Sequence, residues 1–230
     1  MASVNVTLAL AGARERIERA GRDPDTVRVV AVTKGFGPEA VHAALAAGLA
    51  DVGENYAQEL VAKAGTVGAA AGAGTGTGTV PRWHVLGAVQ RNKVSRLAPV
   101  VSLWQAVDRI EAGRAIARRA PGAAVLVEVD LTAVPGRPGW PPASVRALVD
   151  ALRGEGLDVR GLMAVGPPGP PERSRAGFRL VADLSVRLGL PERSMGMTDD
   201  LEVAVAEGAT MVRLGRALFG PRPARADLRR

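Results

Sequence analysis

One lysine at the end of an apolar run is the first residue of this chain that could do covalent chemistry. Lys34 follows the run Val27 to Thr33 and precedes the glycine-containing stretch Gly35 to Pro38. Lysine is rare here, with three lysines against 27 arginines. An amine can lose its proton and attack a carbonyl, whereas a guanidinium cannot. Desolvation would lower the pKa of this amine, as imine formation requires, and the alternative is a surface lysine that merely ends a strand.

The segment Ser194 to Asp200 offers donors for an anion. It leaves a short apolar run and enters a helix-like segment, so Ser194, Thr198 and the amides around Gly196 should lie at a helix N-terminus. The alternative is an ordinary helix cap, in which Thr198 caps the helix and the two following aspartates complement its dipole.

The apolar run near 211–214 contains one charged residue, Arg213. Period-two alternation places Met211, Arg213 and Gly215 on one face of this strand. In a barrel, Arg213 would point into the mouth, where a charge needs a partner, and Gly215 would let a ligand phosphate approach the backbone. A structural salt bridge for Arg213 is the alternative.

Two more polar clusters follow short apolar runs. His84, one of two histidines, lies in Trp83 to Gly87, and Asn55 follows Gly53 and Glu54. A lone histidine is more often packed and hydrogen-bonded than catalytic, and two histidines argue against a histidine-based metal centre. Asn55 could reach inward, or it could simply cap a helix.

Alternating strand-like and helix-like segments predict the scaffold for these residues. Pro38 and Pro142 suit first helical turns. Eight strands with a helix between each pair favour a closed (β/α)8 barrel of the TIM type, with an extra N-terminal helix, over an open doubly wound sheet. We predict strands near 27–33, 50–52, 83–86, 100–107, 124–130, 159–163, 192–195 and 211–214, and helices near 4–20, 38–48, 54–64, 90–97, 109–119, 142–153, 172–188 and 199–207.

Two segments interrupt this pattern. Residues 65–79 consist of glycine, alanine and threonine with one valine, which predicts a flexible surface loop inside one domain spanning 1–230. Residues 133–142 contain four prolines around Trp140 and predict a stiff loop on the active face, either a lid or a structural loop.

Composition narrows the class of protein. Cysteine is absent, which excludes a disulfide framework and thiolate metal sites and fits a cytoplasmic protein. Charged residues within the first 20 positions argue against a signal peptide or membrane span. The net charge of +7 invites a nucleic-acid interpretation, yet the arginines are spread along the chain. An interaction module that uses the basic tail 221–230 is therefore the last-ranked class.

Several motifs, taken in order, resemble the pyridoxal-phosphate homeostasis protein family. They are the GENY block at 53–56, the WHxxGxxQxNK block at 83–93 and the SMGM block at 194–197, together with Val32-Thr33-Lys34, Gly161-Leu162-Met163 and Val212 to Gly215. The resemblance spans about Val27 to Gly220. It implies a barrel similar to the N-terminal domain of alanine racemases, which binds pyridoxal 5′-phosphate (PLP).

The resemblance also implies roles for individual residues. Lys34 would form the Schiff base with PLP, and Arg213 would face its pyridine nitrogen. The ring pocket would be lined by Asn55, His84 and Met163, and the phosphate would be held by Ser194, Gly196, Thr198, Gly215 and Arg216. The family has a small polar residue where this chain has Arg216, so the function of that side chain stays open.

These roles favour a binding protein over an enzyme. An arginine at the ring nitrogen keeps that nitrogen unprotonated and weakens PLP as an electron sink. A racemase needs a second acid/base group, and the only tyrosine is Tyr56. We therefore expect a monomeric protein of PLP, vitamin B6 and amino-acid homeostasis that holds PLP and could deliver it to apoenzymes, without a metal, nucleic acid or membrane. The alternative is a minimal PLP-dependent amino-acid racemase.

Overall fold

Eight parallel strands close into a barrel in the order β1 to β8. The computed structural model describes residues 5–72, 79–132, 134 and 136–222. The closed order confirms the predicted TIM-type barrel and rules out the open sheet. The strands are β1 (Arg28–Val32), β2 (Asp51–Glu54), β3 (Arg82–Val85), β4 (Val101–Val107), β5 (Ala124–Val129), β6 (Asp158–Ala164), β7 (Glu192–Ser194) and β8 (Met211–Leu214).

Helices connect successive strands, and one further helix precedes β1, as predicted. Pro38 begins its helix at a position where a missing N–H costs nothing. The helices among the described residues are α1 (Val6–Arg19), α2 (Pro38–Ala46), α3 (Ala57–Gly72), α4 (Val94–Leu97), α5 (Ile110–Ala117), α6 (Val145–Gly154), α7 (Arg175–Arg187), α8 (Leu201–Ala206) and α9 (Arg216–Phe219). None of the described helices is long and apolar enough to span a membrane.

The strands bury both faces, which explains their continuous apolar runs. A large cluster lies between strands and helices, and a smaller one fills the barrel interior. In β5, Ala124 and Leu126 belong to the interior cluster, while Val125 and Val127 face the helices. The same alternation in β8 puts Met211 inside and Val212 outside. Side chains that continue the interior series therefore reach the carboxyl-terminal mouth of the barrel.

The predicted loop at 65–79 is wrong over its first half. Helix α3 continues to Gly72, well beyond the predicted end at 64. Alanine is the best helix former, and Val67 is buried in the core. Packing therefore stabilises the last part of α3, which its glycines weaken. Thr66 Oγ1 also donates back to the Ala62 carbonyl at 3.1 Å. Residues 73–78 of this predicted loop lie outside the described residues.

The segment at 90–97 is also more broken than the single predicted helix. A 3-10 turn, Arg91–Lys93, precedes the one-turn helix α4. The predicted stiff loop after β5 returns to its own strand: the Trp140 N–H donates to the Glu128 carbonyl at 2.7 Å, and the Asp130 N–H donates to the Trp140 carbonyl at 3.0 Å. Ala133 and Pro135 of this loop, and residues 223–230 of the basic tail, lie outside the described part.

Candidate functional site

A cavity of about 490 Å³ opens at the mouth of the barrel beside the end of β1. The loops after β1, β2, β6, β7 and β8 contribute to its wall. Seven of the ten predicted site residues line it, namely Lys34, Asn55, Met163, Thr198, Arg213, Gly215 and Arg216. The other three, His84, Ser194 and Gly196, are not among the lining residues.

Two anchors hold the backbone on either side of Lys34. Glu59 Oε2 accepts the Gly35 N–H at 3.0 Å, and Lys63 Nζ donates to the Thr33 carbonyl at 2.8 Å. Lys63 also pairs with Glu54, whose Oε1 accepts the Thr33 hydroxyl at 2.6 Å. Both Lys63 and Glu54 are buried. The turn that carries Lys34 is therefore fixed from behind by an ion pair.

The amine of Lys34 is prepared for nucleophilic chemistry by its surroundings. Burial lowers the pKa of the Lys34 amine, and the positive charges of Arg222 and Arg213 lower it further, although Glu54 opposes this shift. A lowered pKa leaves a larger fraction of unprotonated amine near neutral pH. Lys34 therefore has the property that imine formation requires.

Arg213 reaches the cavity from the interior face of β8, as the alternation predicts. Its Nη1 donates to the Ser194 carbonyl at 2.7 Å and to Ser194 Oγ at 2.8 Å, and its Nη2 donates to the Ala164 carbonyl at 2.8 Å. Burial lowers the pKa of Arg213 to about 10, which leaves the guanidinium charged at neutral pH. The predicted alternative, a salt bridge, is not present: among the described residues, no carboxylate lies within 4.0 Å of this side chain.

Thr198 and Arg216 lie together at the outer wall of the cavity. Thr198 Oγ1 accepts the Ala217 N–H at 3.2 Å, so it caps α9 rather than the helix that follows it in sequence. The Arg216 side chain pairs with exposed Asp199. This exposed pair occupies the guanidinium of Arg216, while the Arg216 backbone stays at the cavity wall.

Two glycines meet close neighbours. A Cβ on Gly215 would lie 3.2 Å from the Val32 carbonyl, so a larger residue would crowd the backbone of β1. Gly196 has φ +93°, and a Cβ there would lie 2.5 Å from Ala204 Cβ. The predicted reason for Gly215, close approach of a phosphate, is therefore joined by a packing reason that the sequence did not reveal.

His84 and Ser194 lie beneath the cavity, in the barrel interior. Both are buried, and both hydrogen-bond to Gln105: His84 Nδ1 lies 2.7 Å from Gln105 Nε2, and Ser194 Oγ donates to Gln105 Oε1 at 2.6 Å. His84 is thus the packed, hydrogen-bonded histidine of the alternative interpretation. Neither side chain is placed on the wall where the resemblance put it.

Several functional residues were missed by the sequence analysis. Arg222, assigned to the basic tail, lines the cavity next to Lys34, and a Cβ on Gly35 would lie 3.3 Å from Arg222 Cδ. Lys63 could have been noticed as one of three lysines, spaced four residues from Glu59. Gln105 carries no comparable sequence pattern.

Smaller cavities adjoin the first, and two of them bear on the candidate chemistry. One of about 340 Å³ shares Asn55 with it and is lined by Tyr56, so the single tyrosine lines a different cavity from Lys34. The other, of about 160 Å³, shares Val165 and is lined by Glu128. Glu128 is 5% exposed, and burial, together with the nearby charges of Asp108 and Asp130, raises its pKa to about 7 although Arg213 opposes this shift.

The closed barrel, with a half-buried lysine after β1 and a buried arginine on β8, defines a protein of the alanine racemase N-terminal domain class, whose family matches residues 10–223. A pyridoxal phosphate homeostasis protein from Pseudomonas aeruginosa is 37% identical over 227 residues, which cover 95% of this chain and 94% of the relative. The chain belongs to the pyridoxal phosphate homeostasis protein family.

Two solved structures place the fold in context. PipY of Synechococcus elongatus, solved with PLP bound, has a TM-score of 0.78 and 30% identity, covering 94% of this chain and 100% of that protein. Alanine racemase of Clostridium difficile has a TM-score of 0.71 at 14% identity, and the match covers 96% of this chain but 57% of the racemase. The second similarity concerns the fold alone.

Proposed function

We propose that this protein binds pyridoxal 5′-phosphate through Lys34 and holds it for intracellular PLP and amino-acid homeostasis. The observation that carries the proposal is the amine of Lys34, with its lowered pKa, in the same cavity as the buried guanidinium of Arg213. The name of the Pseudomonas aeruginosa relative and the PLP bound to PipY support it.

The residues present fit this cofactor. The cavity volume of about 490 Å³ lies within the usual range for small-molecule sites. Arg222, the Arg216 backbone and the Thr198 loop provide positive charge and polar groups for a phosphate, while Met163 and Val32 provide apolar surface for a ring. Lys34 follows β1, and Arg213 lies on the adjacent strand β8, which suits one ligand bound by both.

Each residue has a separate task in this proposal. When bound, PLP supplies an aldehyde and a ring that can accept electrons. Lys34 Nζ would bond to the aldehyde carbon, whose oxygen would leave as water, and the pair of Lys63 and Glu54 would keep that amine in position. Arg213 presents N–H donors to the ring nitrogen and keeps a proton off it, because two positive charges repel. This arrangement favours retention of PLP over the stabilisation of a carbanion.

Absorbance and mass spectrometry test the proposal. Purified protein incubated with PLP should absorb in the visible region, and borohydride should fix one PLP on the peptide that contains Lys34. Lys34→Ala should abolish this fixation, while the matched control Lys93→Ala should retain it, because Lys93 lies in the neighbouring cavity. Fixation that persists in Lys34→Ala would overturn the assignment.

A second candidate function is a minimal amino-acid racemase, and Glu128 is the observation that favours it. A carboxyl group with a pKa near 7 can both donate and accept a proton at neutral pH. Glu128 lies on β5, across the barrel from β1, in a cavity that adjoins the one containing Lys34. Incubation with single amino-acid enantiomers decides between the two: turnover lost in Glu128→Gln supports the enzyme, and no turnover across a broad panel rejects it.

We further propose that the protein acts as a cytoplasmic monomer and a single domain, with PLP-dependent apoenzymes as acceptors. The lack of cysteine supports a reducing compartment. Light scattering after gel filtration tests the monomer, and a dimeric mass contradicts it. Transfer is tested by mixing PLP-loaded protein with an apoenzyme: activation faster than with an equal concentration of free PLP supports direct delivery.

A further inference from the structure

A continuous chain of buried polar side chains runs through the barrel interior to Arg213. From the mouth, Arg213 Nη1 contacts Ser194 Oγ at 2.8 Å, and Ser194 Oγ contacts Gln105 Oε1 at 2.6 Å. Gln105 Nε2 contacts His84 Nδ1 at 2.7 Å, and His84 Nε2 contacts Asp51 Oδ1 at 3.0 Å. These five residues, which we call the interior chain, are all at least nine-tenths buried.

The hydrogen bonds of the interior chain can run in only one direction when His84 is neutral. A guanidinium only donates, so Ser194 Oγ accepts from Arg213 and gives its own proton to Gln105 Oε1. The Nε2 amide group of Gln105 must then donate, and it does so to His84 Nδ1 and to Met211 Sδ, the latter at 3.1 Å. His84 consequently carries its proton on Nε2 and donates it to Asp51.

The far end of the interior chain is a fixed negative charge. Burial alone would raise the pKa of Asp51, but hydrogen bonds from His84 and Arg82 outweigh it and hold this pKa well below its ordinary value. Arg82 Nε donates to Asp51 Oδ1 at 2.9 Å from the opposite end of the barrel. Asp51 is therefore an acceptor only, and it imposes the tautomer of His84.

We propose that Gln105 and His84 are positioning residues for the ring-nitrogen contact of the bound cofactor, acting through Ser194 on Arg213. This inference rests on the proposed function, since it takes Arg213 as the partner of the ring. Within the described part of the chain, Arg213 is held by neutral oxygens: its acceptors are the Ser194 and Ala164 carbonyls and the Ser194 hydroxyl. An amide at position 105 orients the guanidinium without neutralising it, so the full charge stays directed at the cavity.

The direction of the chain can be measured without PLP. The chain has two histidines, so ¹⁵N-histidine labelling of the full-length cofactor-free protein gives a simple spectrum, and His42→Gln assigns the resonances. At pH 8 we expect His84 to show a protonated Nε2 and an unprotonated Nδ1. A protonated Nδ1 with an unprotonated Nε2 overturns the inference, whether or not the protein binds PLP.

Two substitutions of Gln105 separate positioning from packing. Gln105→Leu has similar volume but no hydrogen bonds, so Ser194 loses its acceptor and Arg213 its alignment. Gln105→Glu keeps the acceptor for Ser194 and the link to His84, either as a carboxylic acid that donates to Nδ1 or as a carboxylate that accepts from a doubly protonated His84. If Gln105 only fills space, Gln105→Leu should behave more like the parent protein than Gln105→Glu does, because burying a carboxylate costs free energy. If Gln105 positions Arg213, Gln105→Glu should behave more like the parent protein, because glutamate restores the hydrogen bonds of the interior chain.

PLP titrations of these variants complete the test, with Ser185→Ala as the matched control because Ser185 Oγ is buried without a partner among the described residues. We expect the Kd for PLP to rise about three- to tenfold in Gln105→Leu, the value of about one hydrogen bond, with a shifted absorbance maximum of bound PLP. Gln105→Glu should recover the maximum, and Ser185→Ala should match the parent protein.

The failures are distinguishable. An unchanged maximum and Kd in Gln105→Leu overturns the inference while PLP binding stands. Absence of PLP binding in the parent protein overturns the proposed function, and the NMR measurement then still tests the interior chain. If Gln105→Leu does not fold, the comparison of Gln105→Glu with the parent decides: a His84 that keeps its proton on Nε2, with the absorbance maximum of bound PLP at the parent value, supports the chain, and a His84 without a proton on Nε2 contradicts it.

Discussion

Replacement of Lys63 by methionine should destabilise the protein in a pH-dependent way. Lys63 is 5% exposed and pairs with Glu54, which is fully buried. Methionine has nearly the length of lysine, so the change removes the charge with little loss of volume. Glu54 then keeps one donor, the Thr33 hydroxyl, and becomes an uncompensated buried charge, a change that typically costs about 3–5 kcal/mol.

Protonation of Glu54 limits this cost. Protonating a carboxyl whose ordinary pKa is 4.5 costs about 1.4 kcal/mol for each pH unit above that pKa. The cost is about 3 kcal/mol at pH 7 and under about 1 kcal/mol at pH 5. In the variant the pKa of folded Glu54 lies above its unfolded value. The folded state then binds a proton that the unfolded state lacks, and stability falls as pH rises above 4.5.

Urea unfolding of the parent protein, Lys63→Met, Glu54→Gln and the double variant at pH 5 and pH 8 measures this effect. The double variant removes both charges and should recover at least about 2 kcal/mol relative to the sum of the single changes. Lys93→Met is the control and should change the free energy of unfolding by less than about 0.5 kcal/mol. A loss in Lys63→Met that is the same at both pH values would refute the reasoning.

Three further predictions follow from the structure. Glu128→Gln should become more stable than the parent protein as pH rises, by up to about 3 kcal/mol near pH 8. The folded pKa of Glu128, about 7, exceeds the ordinary value of 4.5, so the parent protein loses stability between these two pH values. A stability difference between the two proteins in urea that does not change with pH would contradict this. Gly196→Ala should cost about 2–4 kcal/mol, whereas Gly208→Ala, at φ +90° with no atom nearer than 3.8 Å, should cost about 1 kcal/mol; equal shifts in thermal unfolding would show that backbone strain alone is responsible. Val67→Ala should lower stability by about 1–3 kcal/mol, since α3 packs this side chain in the core; no change in the urea midpoint would argue against the extended helix.

The sequence predicted the barrel well because apolar periodicity is a local property. The predicted run at 27–33 is β1 (Arg28–Val32), and the strand predicted at 211–214 is β8 with the same bounds. Alternation also placed Arg213 on the interior face. Propensity misled the prediction at 65–72, where the glycines suggested a loop but the burial of Val67 supports a helix.

The sequence could not show how deep in the barrel interior a side chain lies. Motif matching put His84 and Ser194 on the wall of a ligand pocket, yet both belong to the interior chain one layer deeper. Across neighbouring strands, Gly53 pairs with His84 and Met163 with Ser194, and of these four residues the long side chain of Met163 reaches the cavity wall. Register depends on how all eight strands close, which is not a property of any one segment.

The sequence by itself predicted the fold class, the candidate amine of Lys34 and the family resemblance, since each depends on residue types at short spacing. Only the tertiary structure brought Lys63 and Glu54 behind Lys34, placed Arg222 beside it and connected Arg213 to Asp51 through Gln105. These partners are far apart along the chain. Burial then gives their charges and hydrogen bonds an effect on the site that the same residues would lack in water.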